Sequence, residues 1–286
     1  MPELPEVTAL AADLRSRLVG RTVDRLDIVF FAALKTFEIS PTELHGKTIA
    51  SVSRIGKYLD FEIRDVHLVM HLARSGWVRW RESAPKLSAR PGRGPLAARL
   101  VMDDGSGFDV TEASTKKSLA IYLVRSAQEI PWVARLGPDP LDPGFTVQAL
   151  ASILAGSGRA QVKGVLRNQS VIAGIGNAYS DEILHRAKMS PFKPASMAPE
   201  DVATLYDAIQ LTLREAIDRA DGLAASELKA EKKSNLRVHG RTGLPCPVCG
   251  DTVRQVIYSD STFQYCPTCQ TGGKPLADRV LSRLIK

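Results

Sequence analysis

Apolar positions in the first half of the chain form one helical pattern followed by a series of short strand patterns. Within residues 7–18, Leu10, Leu14 and Leu18 recur every four positions, which predicts an amphipathic helix. Short alternating or β-branched runs follow, separated by Gly, Asp and Pro: 22–31, 48–55, 59–63, 67–72, 77–80, 98–102 and 118–124. This pattern is typical of sandwich or barrel strands. The stretch 83–95, rich in Pro, Gly, Arg and Ser, predicts a mobile loop.

The pattern changes after residues 137–144, where three prolines and two glycines exclude both a helix interior and a central strand. Helical periodicity then predicts segments at 147–154, 161–167, 178–187 and 198–220, the last with an apolar stripe that includes Val202, Leu205, Ile209 and Leu213. We therefore predict two domains. The boundaries are 1–134 for the β-rich domain, 135–145 for a linker, 146–238 for a helical domain and 239–286 for a cysteine-rich end.

Composition and charge suggest the kind of partner. The chain has 286 residues, 44% hydrophobic and 24% charged, which is normal for a globular protein. A net charge of +7 suits a polyanion such as nucleic acid, although a generically basic protein is the alternative. No apolar run is long enough to span a membrane, and the first residues do not resemble a secretory signal. We predict a cytoplasmic protein with no membrane partner.

The four cysteines form two C-x-x-C pairs, Cys246 with Cys249 and Cys266 with Cys269, separated by sixteen residues. Each pair can offer two thiolates to one tetrahedral ion, and the residues between the pairs suit a β-hairpin. This pattern predicts one structural Zn²⁺ with a closed, four-cysteine ligand set. A redox dithiol is the alternative, but one pair would then be superfluous.

The opening residues Pro2, Glu3 and Glu6 are candidates for chemistry. If Met1 is removed, Pro2 carries a secondary amine, and an α-amine is far less protonated than a lysine at neutral pH. Such an amine can attack a carbonyl-type carbon, and Glu3 is placed to move protons. The alternative is a frayed terminal tail.

Two further motifs are weak when taken alone. Gly174 and Gly176, followed by Asn177 and a helical run, indicate a helix–turn–helix junction whose backbone could approach a phosphate. Asn177 offers a helix cap and an amide donor there, and Lys163 could pair with the same phosphate. A tight packing turn explains the same glycines. Lys57, after Gly56 at a strand end, would ordinarily be a solvated surface residue.

Taken together, these residues resemble the formamidopyrimidine-DNA glycosylase and endonuclease VIII family of base-excision-repair enzymes. The resemblance spans essentially the whole chain and rests on Pro2-Glu3-Leu4-Pro5-Glu6, Gly56-Lys57, His71-Leu72, Ser75-Gly76, Gly174, Gly176-Asn177, Tyr179, Glu182, Val238, Gly240-Arg241 and the four cysteines. It implies an α+β fold with an N-terminal β-sandwich flanked by helices and a C-terminal helix–two-turn–helix domain that ends in a zinc-finger hairpin.

The resemblance also implies a reaction. Pro2 would attack C1′ of a damaged nucleoside as nucleophile, Glu3 would be the general acid and base, Glu6 would organise the site, and Lys57 would contact phosphate and donate a proton. The resulting iminium would permit β- and δ-elimination, so the enzyme would be both a DNA glycosylase and an AP lyase. Residues expected to contact DNA are His71, Arg74, Lys163, Asn177, Arg237 and Arg241. The partner would be double-stranded DNA with damaged bases or abasic sites, bound by a monomer.

The sequence departs from the family pattern at several positions. Arg74 replaces the methionine that fills the void left by a flipped base, and residues 109–117 lack the family's Arg-Arg-Phe wedge. Ser261 stands where the finger has a phosphate-binding arginine, and the segment before Val238 is shorter than the 8-oxoguanine-capping loop. These differences leave the lesion unassigned. They also keep open a second hypothesis, a damaged-DNA or abasic-site binder with little or no base excision.

Overall fold

The computed structural model describes residues 1–85, 94–258 and 261–277, which fall into two compact units. The first unit consists of 1–135 with 220–229, and the second of 136–219 with the chain from 230 onward. The predicted two-domain α+β fold is confirmed. Most of the predicted loop 83–95 lies outside the described residues. In the described part of the chain, no helix is long and apolar enough to cross a membrane.

The first unit is a β-sandwich with an opening helix. Its elements are α1 (Leu4–Leu18), β1 (Val23–Ile28), β2 (Ile49–Ile55), β3 (Tyr58–Ile63), β4 (Val66–His71), β5 (Gly76–Arg81), β6 (Leu96–Met102), β7 (Gly107–Glu112), β8 (Ala120–Val124), α2 (Pro131–Ala134) and 3-10 turns at Phe31–Ala33, Pro41–Leu44 and Ala127–Glu129. The antiparallel sheets have the orders β1-β6-β7-β5 and β2-β3-β4-β8. Phe61 and Phe108 stack between them, with ring centroids 5.5 Å apart.

Every strand that the apolar pattern predicted is present, but β7 was missed. This strand contains Asp109 and ends at Glu112, so charged residues interrupt its apolar alternation. Asp109 can be buried because Arg99 Nε donates to its Oδ1 at 2.6 Å and Arg81 Nε to its Oδ2 at 2.9 Å. The paired arginines offset the desolvation of the carboxylate, and β7 therefore occupies an inner position of its sheet.

The second unit is helical and ends in a hairpin. Its elements are α3 (Val147–Gly156), α4 (Val162–Arg167), α5 (Asn177–Arg186), α6 (Pro199–Ala220), α7 (Leu228–Asn235), β9 (Arg254–Tyr258), β10 (Ser261–Tyr265) and α8 (Pro267–Thr271). The four predicted helices are confirmed to within a few residues at each end. Helix α7 was missed because its polar, basic sequence buries only Leu228 and so has no apolar stripe.

The unit boundaries differ from the predicted domain boundaries in three places. Residues 220–229 belong with the β-sandwich, because Trp77 Nε1 donates to Ala225 O at 2.7 Å and Leu228 lies in the same core. Most of the predicted linker 135–145 groups with the second unit, where Gly137 N donates to Gln169 O at 2.9 Å. The cysteine-rich end also belongs to that unit and is not separate from it.

Candidate active site and nucleic-acid interface

The opening residues are an ordered part of the first unit. Helix α1 begins at Leu4 with Pro5 in its first turn, where a missing N–H costs nothing. Glu3 is the N-cap residue, and its backbone N–H donates to Glu6 Oε2 at 2.8 Å. Pro2 is buried, and Glu3 and Glu6 are each only 2% exposed. Two carboxylates are therefore held in fixed positions next to Pro2, which excludes the frayed-tail alternative.

Lys57 lies in the two-residue turn between β2 and β3, where Gly56 takes φ +57° and so lets the strands pair directly at Ile55 and Tyr58. The Lys57 side chain is buried rather than solvated. Burial, and then the charge of Lys57, lower the pKa of His71 to about 4, so this imidazole is neutral at pH 7. The His71 ring lies against the Tyr58 ring, with centroids 4.8 Å apart.

Arg74 is exposed in a tight turn between β4 and β5. Ala73 takes φ +51°, and Gly76 N donates to Leu72 O at 2.8 Å to close the turn. A Cβ on Gly76 would lie 2.1 Å from Leu72 O, so only glycine fits there. The turn fixes the backbone at Arg74 and leaves its guanidinium on the surface.

A second loop, residues 113–118, is held by a residue that the sequence reasoning missed. Glu112 has no exposed surface, and its carboxylate accepts from Ser118 N at 3.0 Å and Leu119 N at 3.1 Å. Lys117 Nζ donates to the Glu112 backbone carbonyl, while Lys116 is exposed. The available signal was a glutamate at the end of a strand, followed eight residues later by the start of β8 in the other sheet. This loop is where the family's wedge is absent.

The junction between α4 and α5 is organised by Gln169, which was also missed. Its Nε2 donates to Arg167 O at 2.9 Å and Ile175 O at 2.7 Å, and its Oε1 accepts from Gly174 N at 3.0 Å. Gly174 takes φ +86°, as expected for the predicted turn. Gly176 is the N-cap of α5 and Asn177 is the first helical residue, so the expectation that Asn177 caps the helix is wrong.

Lys163 is a buried residue that joins α4 to α5 and β10. Its side chain is 0% exposed, and its ammonium group is paired with Asp181 of α5. The same Nζ lies 3.4 Å from Thr262 O and 4.4 Å from the centroid of the Phe263 ring. Asn177 Nδ2 donates to the same Thr262 carbonyl at 3.2 Å. In this structure both donors hold strand β10, and the direct phosphate contact expected of Lys163 stays a prediction.

Asp181 and Glu182 join α5 to the segment before the finger. Glu182 Oε2 accepts from Arg237 N at 2.8 Å, and its Oε1 accepts from Val238 N at 2.9 Å and His239 N at 2.8 Å. Asp181 Oδ2 lies 2.8 Å from His239 Nδ1. Burial raises the pKa of Glu182 despite these bonds. The arrangement, which we call the Glu182 clamp, fixes the backbone at Arg237. Arg241, which follows, donates through Nη2 to Pro245 O at 3.2 Å.

We expect Glu182→Gln to destabilise the second unit by about 1.5–3 kcal/mol, because an amide offers one acceptor where the carboxylate serves three N–H groups. Urea denaturation measures this loss, and Glu200→Gln, which changes an exposed side chain at the start of α6, is the matched control. Equal stability of the two variants would show that the clamp is not needed.

The side chains of the four cysteines form one cluster. Their Sγ atoms all lie within 4.8 Å of one another, with Cys246 to Cys269 at 3.9 Å and Cys249 to Cys266 at 3.3 Å. Four sulfurs about 2.3 Å from one Zn²⁺ would be separated by about 3.8 Å, so the geometry fits a tetrahedral ion. Burial raises the pKa of Cys266 to about 11, and the sulfurs of Cys249 and Cys246 add to the rise. A divalent cation would offset this, because it favours thiolates. The cluster can hold a metal ion.

Two sequence profiles match the chain: the formamidopyrimidine-DNA glycosylase N-terminal domain at residues 1–114 and the formamidopyrimidine-DNA glycosylase H2TH domain at residues 136–227.

Individual relatives agree. The formamidopyrimidine-DNA glycosylase of Symbiobacterium thermophilum is 34% identical over 284 residues, covering 94% of this chain and 89% of the relative. An uncharacterized formamidopyrimidine-DNA glycosylase-like protein of Mycobacterium tuberculosis is 56% identical over 157 residues, covering 54% of this chain and 98% of that protein. The chain belongs to the formamidopyrimidine-DNA glycosylase family. It is therefore a DNA glycosylase of base-excision repair, and AP lyase activity is a property of the family.

Solved structures show the same fold. The Lactococcus lactis Fpg in complex with DNA containing an abasic site aligns with a TM-score of 0.81 at 28% identity, covering 94% of this chain and 99% of that one. The MutM (Fpg) protein of Thermus thermophilus aligns with a TM-score of 0.79 at 31% identity, covering 96% of this chain and 100% of that one. Another Lactococcus lactis complex contains Fapy-dG DNA.

Proposed function

We propose that Pro2, once Met1 is removed, is the nucleophile of a bifunctional glycosylase and AP lyase. The observation that carries this proposal is the position of Pro2, buried immediately before α1 beside the carboxylates of Glu3 and Glu6. A secondary amine held next to a general acid has the two groups that displacement of a base requires.

In the proposed reaction the Pro2 nitrogen bonds to C1′, and the C1′–base bond breaks as Glu3 delivers a proton to the departing base. The N–H proton of the adduct passes to the ring oxygen O4′, the C1′–O4′ bond breaks, and the sugar opens to an iminium. This iminium has no further N–H proton to lose and so acts as an electron sink. Removal of a 2′ proton expels the 3′ phosphate, and a second elimination expels the 5′ phosphate. Glu6, which holds the Glu3 backbone, keeps the acid in place.

The partner in this proposal is double-stranded DNA with a damaged base or an abasic site, bound by a single chain. Lys57 contacts a phosphate and donates a proton, neutral His71 offers a hydrogen bond, and Arg74 reaches the bases or backbone from its exposed turn. In the second unit, Lys163, Asn177, Arg237 and Arg241 contact phosphates. Zn²⁺ occupies the four-cysteine cluster, where Cys246, Cys249, Cys266 and Cys269 would hold it.

Borohydride trapping on an abasic-site duplex tests the proposal. We expect wild type to form a covalent complex, and a variant that retains an N-terminal extension to form none, because an amide nitrogen is not nucleophilic. The same extension placed at the C-terminus is the control, and Pro2→Gly, which keeps a terminal amine, should trap more slowly. If the extended protein traps like wild type, Pro2 is not the nucleophile. If wild type traps no substrate, while binding that falls steeply with salt persists, the chain is a binder instead.

A further inference from the structure

A polar cavity of about 180 Å³ lies in the second unit between α5, α6 and the segment after α7. Its volume exceeds what one water molecule needs and accommodates a group of several non-hydrogen atoms. Charged and hydroxyl side chains line it: Glu182, Arg186, Thr212, Glu215, Arg219 and Arg237. Among these residues, only Arg237 has a role in the DNA binding proposed above.

The carboxylates of the cavity are already engaged. Arg186 donates to both oxygens of Glu215, through Nη1 to Oε1 at 2.8 Å and through Nη2 to Oε2. This hydrogen bonding, followed by the charges of Arg186, Arg237 and Arg219, lowers the pKa of Glu215, which therefore stays ionised and paired. Both oxygens of Glu182 accept backbone N–H groups in the Glu182 clamp.

The donors of the cavity are not all engaged. Thr212 is only 8% exposed, and its Oγ1 has no hydrogen-bond partner among the described residues. The guanidinium of Arg237 donates no hydrogen bond to any residue in the described part of the chain, although its backbone N–H is held by Glu182. Arg219 uses its Nε for Glu231 at 2.8 Å. The cavity therefore has a surplus of donors and positive charge, which an anionic acceptor would satisfy.

We propose that this cavity binds a phosphate group, with the Arg237 guanidinium and the Thr212 hydroxyl as its principal donors. A guanidinium presents paired N–H groups that match two phosphate oxygens. The Glu182 clamp fixes the backbone of Arg237 and so limits where its side chain can reach. The phosphate is either that of the DNA backbone, a source that rests on the proposed function, or a small free phosphate. Occupancy would stabilise α5, α6 and the segment at Arg237 together.

The binding test uses inorganic phosphate and pyrophosphate at constant ionic strength, with isothermal titration calorimetry and thermal denaturation as measurements. We expect a saturable rise in Tm for wild type, and a loss of affinity of roughly tenfold or more for Arg237→Gln. Thr212→Val should fold at least as well as wild type without ligand, because it removes an unpaired buried hydroxyl, and should also bind phosphate more weakly. Arg214→Gln, which changes an exposed arginine bonded to Gln210 on α6, should behave like wild type. No saturable effect in wild type, or equal affinity in Arg237→Gln, would overturn the proposal.

The salt dependence of duplex affinity distinguishes the two sources. If a backbone phosphate enters the cavity, Arg237→Gln should reduce the slope of log Kobs against log salt by about 0.9, and free phosphate should compete with duplex. If the ligand is a small phosphate, Arg237→Gln and wild type should have the same slope of log Kobs against log salt, while wild type still binds inorganic phosphate by calorimetry. Phosphate binding in a protein that fails borohydride trapping would support the cavity and reject the nucleophile, so the two proposals fail separately.

Discussion

A Glu3→Gln protein is expected to lose base excision by about 10²–10⁴-fold on a duplex with a damaged base, the range that a general acid supplies. The carboxamide is similar in size and can still accept hydrogen bonds, but it cannot give a proton to the leaving base. On a duplex that already contains an abasic site there is no base to expel. Borohydride trapping by the same variant should therefore fall much less than base excision, and the ratio of the two rates is the measurement.

Two matched variants support the interpretation. Glu38→Gln changes an exposed glutamate of the first unit and should leave both rates unchanged. Glu6→Gln keeps an oxygen that can accept from Glu3 N, so it should lower the rate of excision less than Glu6→Ala, which removes the acceptor. If Glu3→Gln slows excision and abasic-site trapping equally, Glu3 acts on the Pro2 amine or on the sugar rather than on the base.

Apolar periodicity was enough to predict most of the fold. The stripe through Val202, Leu205, Ile209 and Leu213 predicted helix 198–220, and the structure has Pro199–Ala220, with Leu205, Ile209 and Leu213 fully buried. The cysteine spacing predicted a hairpin with a four-sulfur cluster, and both are present. Such features are local, because each depends on residues close together in sequence. Strand β7 was missed because its charged Asp109 is neutralised by an arginine on another strand.

The chemistry of single polar side chains could not be predicted in the same way. Lys163 has the sequence context of a surface lysine, yet its side chain is buried and paired with Asp181 of the next helix. Glu182 was recognised only as part of a motif. In the structure, its carboxylate oxygens accept hydrogen bonds from backbone N–H groups more than fifty positions away. The contacts of these side chains depend on burial and on partners far away in the sequence, and neither produces a periodic pattern of residues. The side chain of Ser261, a notable departure from the family, lies outside the described residues.

Removal of metal by a chelator is expected to unfold the finger and abolish specific DNA binding, while the β-sandwich stays folded. The hairpin of β9 and β10 is two-stranded, and isolated two-stranded hairpins are marginally stable at best. Its small core consists of Val238, Cys246, Val253 and Cys266, with Cys269 packed against it, so three of the five members are metal-ligand candidates. Structural zinc supplies about 10–16 kcal/mol of apparent binding energy in finger peptides, and that energy is folding energy.

Three measurements on the full chain test this expectation. Purified protein should contain one Zn²⁺, and chelation should make four thiols reactive and raise amide exchange in Arg254–Tyr258 and Ser261–Tyr265. Cys266→Ser, which changes a fully buried ligand, should reproduce the chelated state, while Thr268→Ser, two residues further on and exposed, should not. Loss of the hairpin would also release the Thr262 carbonyl from Asn177 and Lys163, so we expect the salt-dependent affinity for DNA to fall with it. A folded protein with far less than one Zn²⁺ per chain, or a redox-sensitive pair that leaves the other pair dispensable, would instead favour the dithiol alternative.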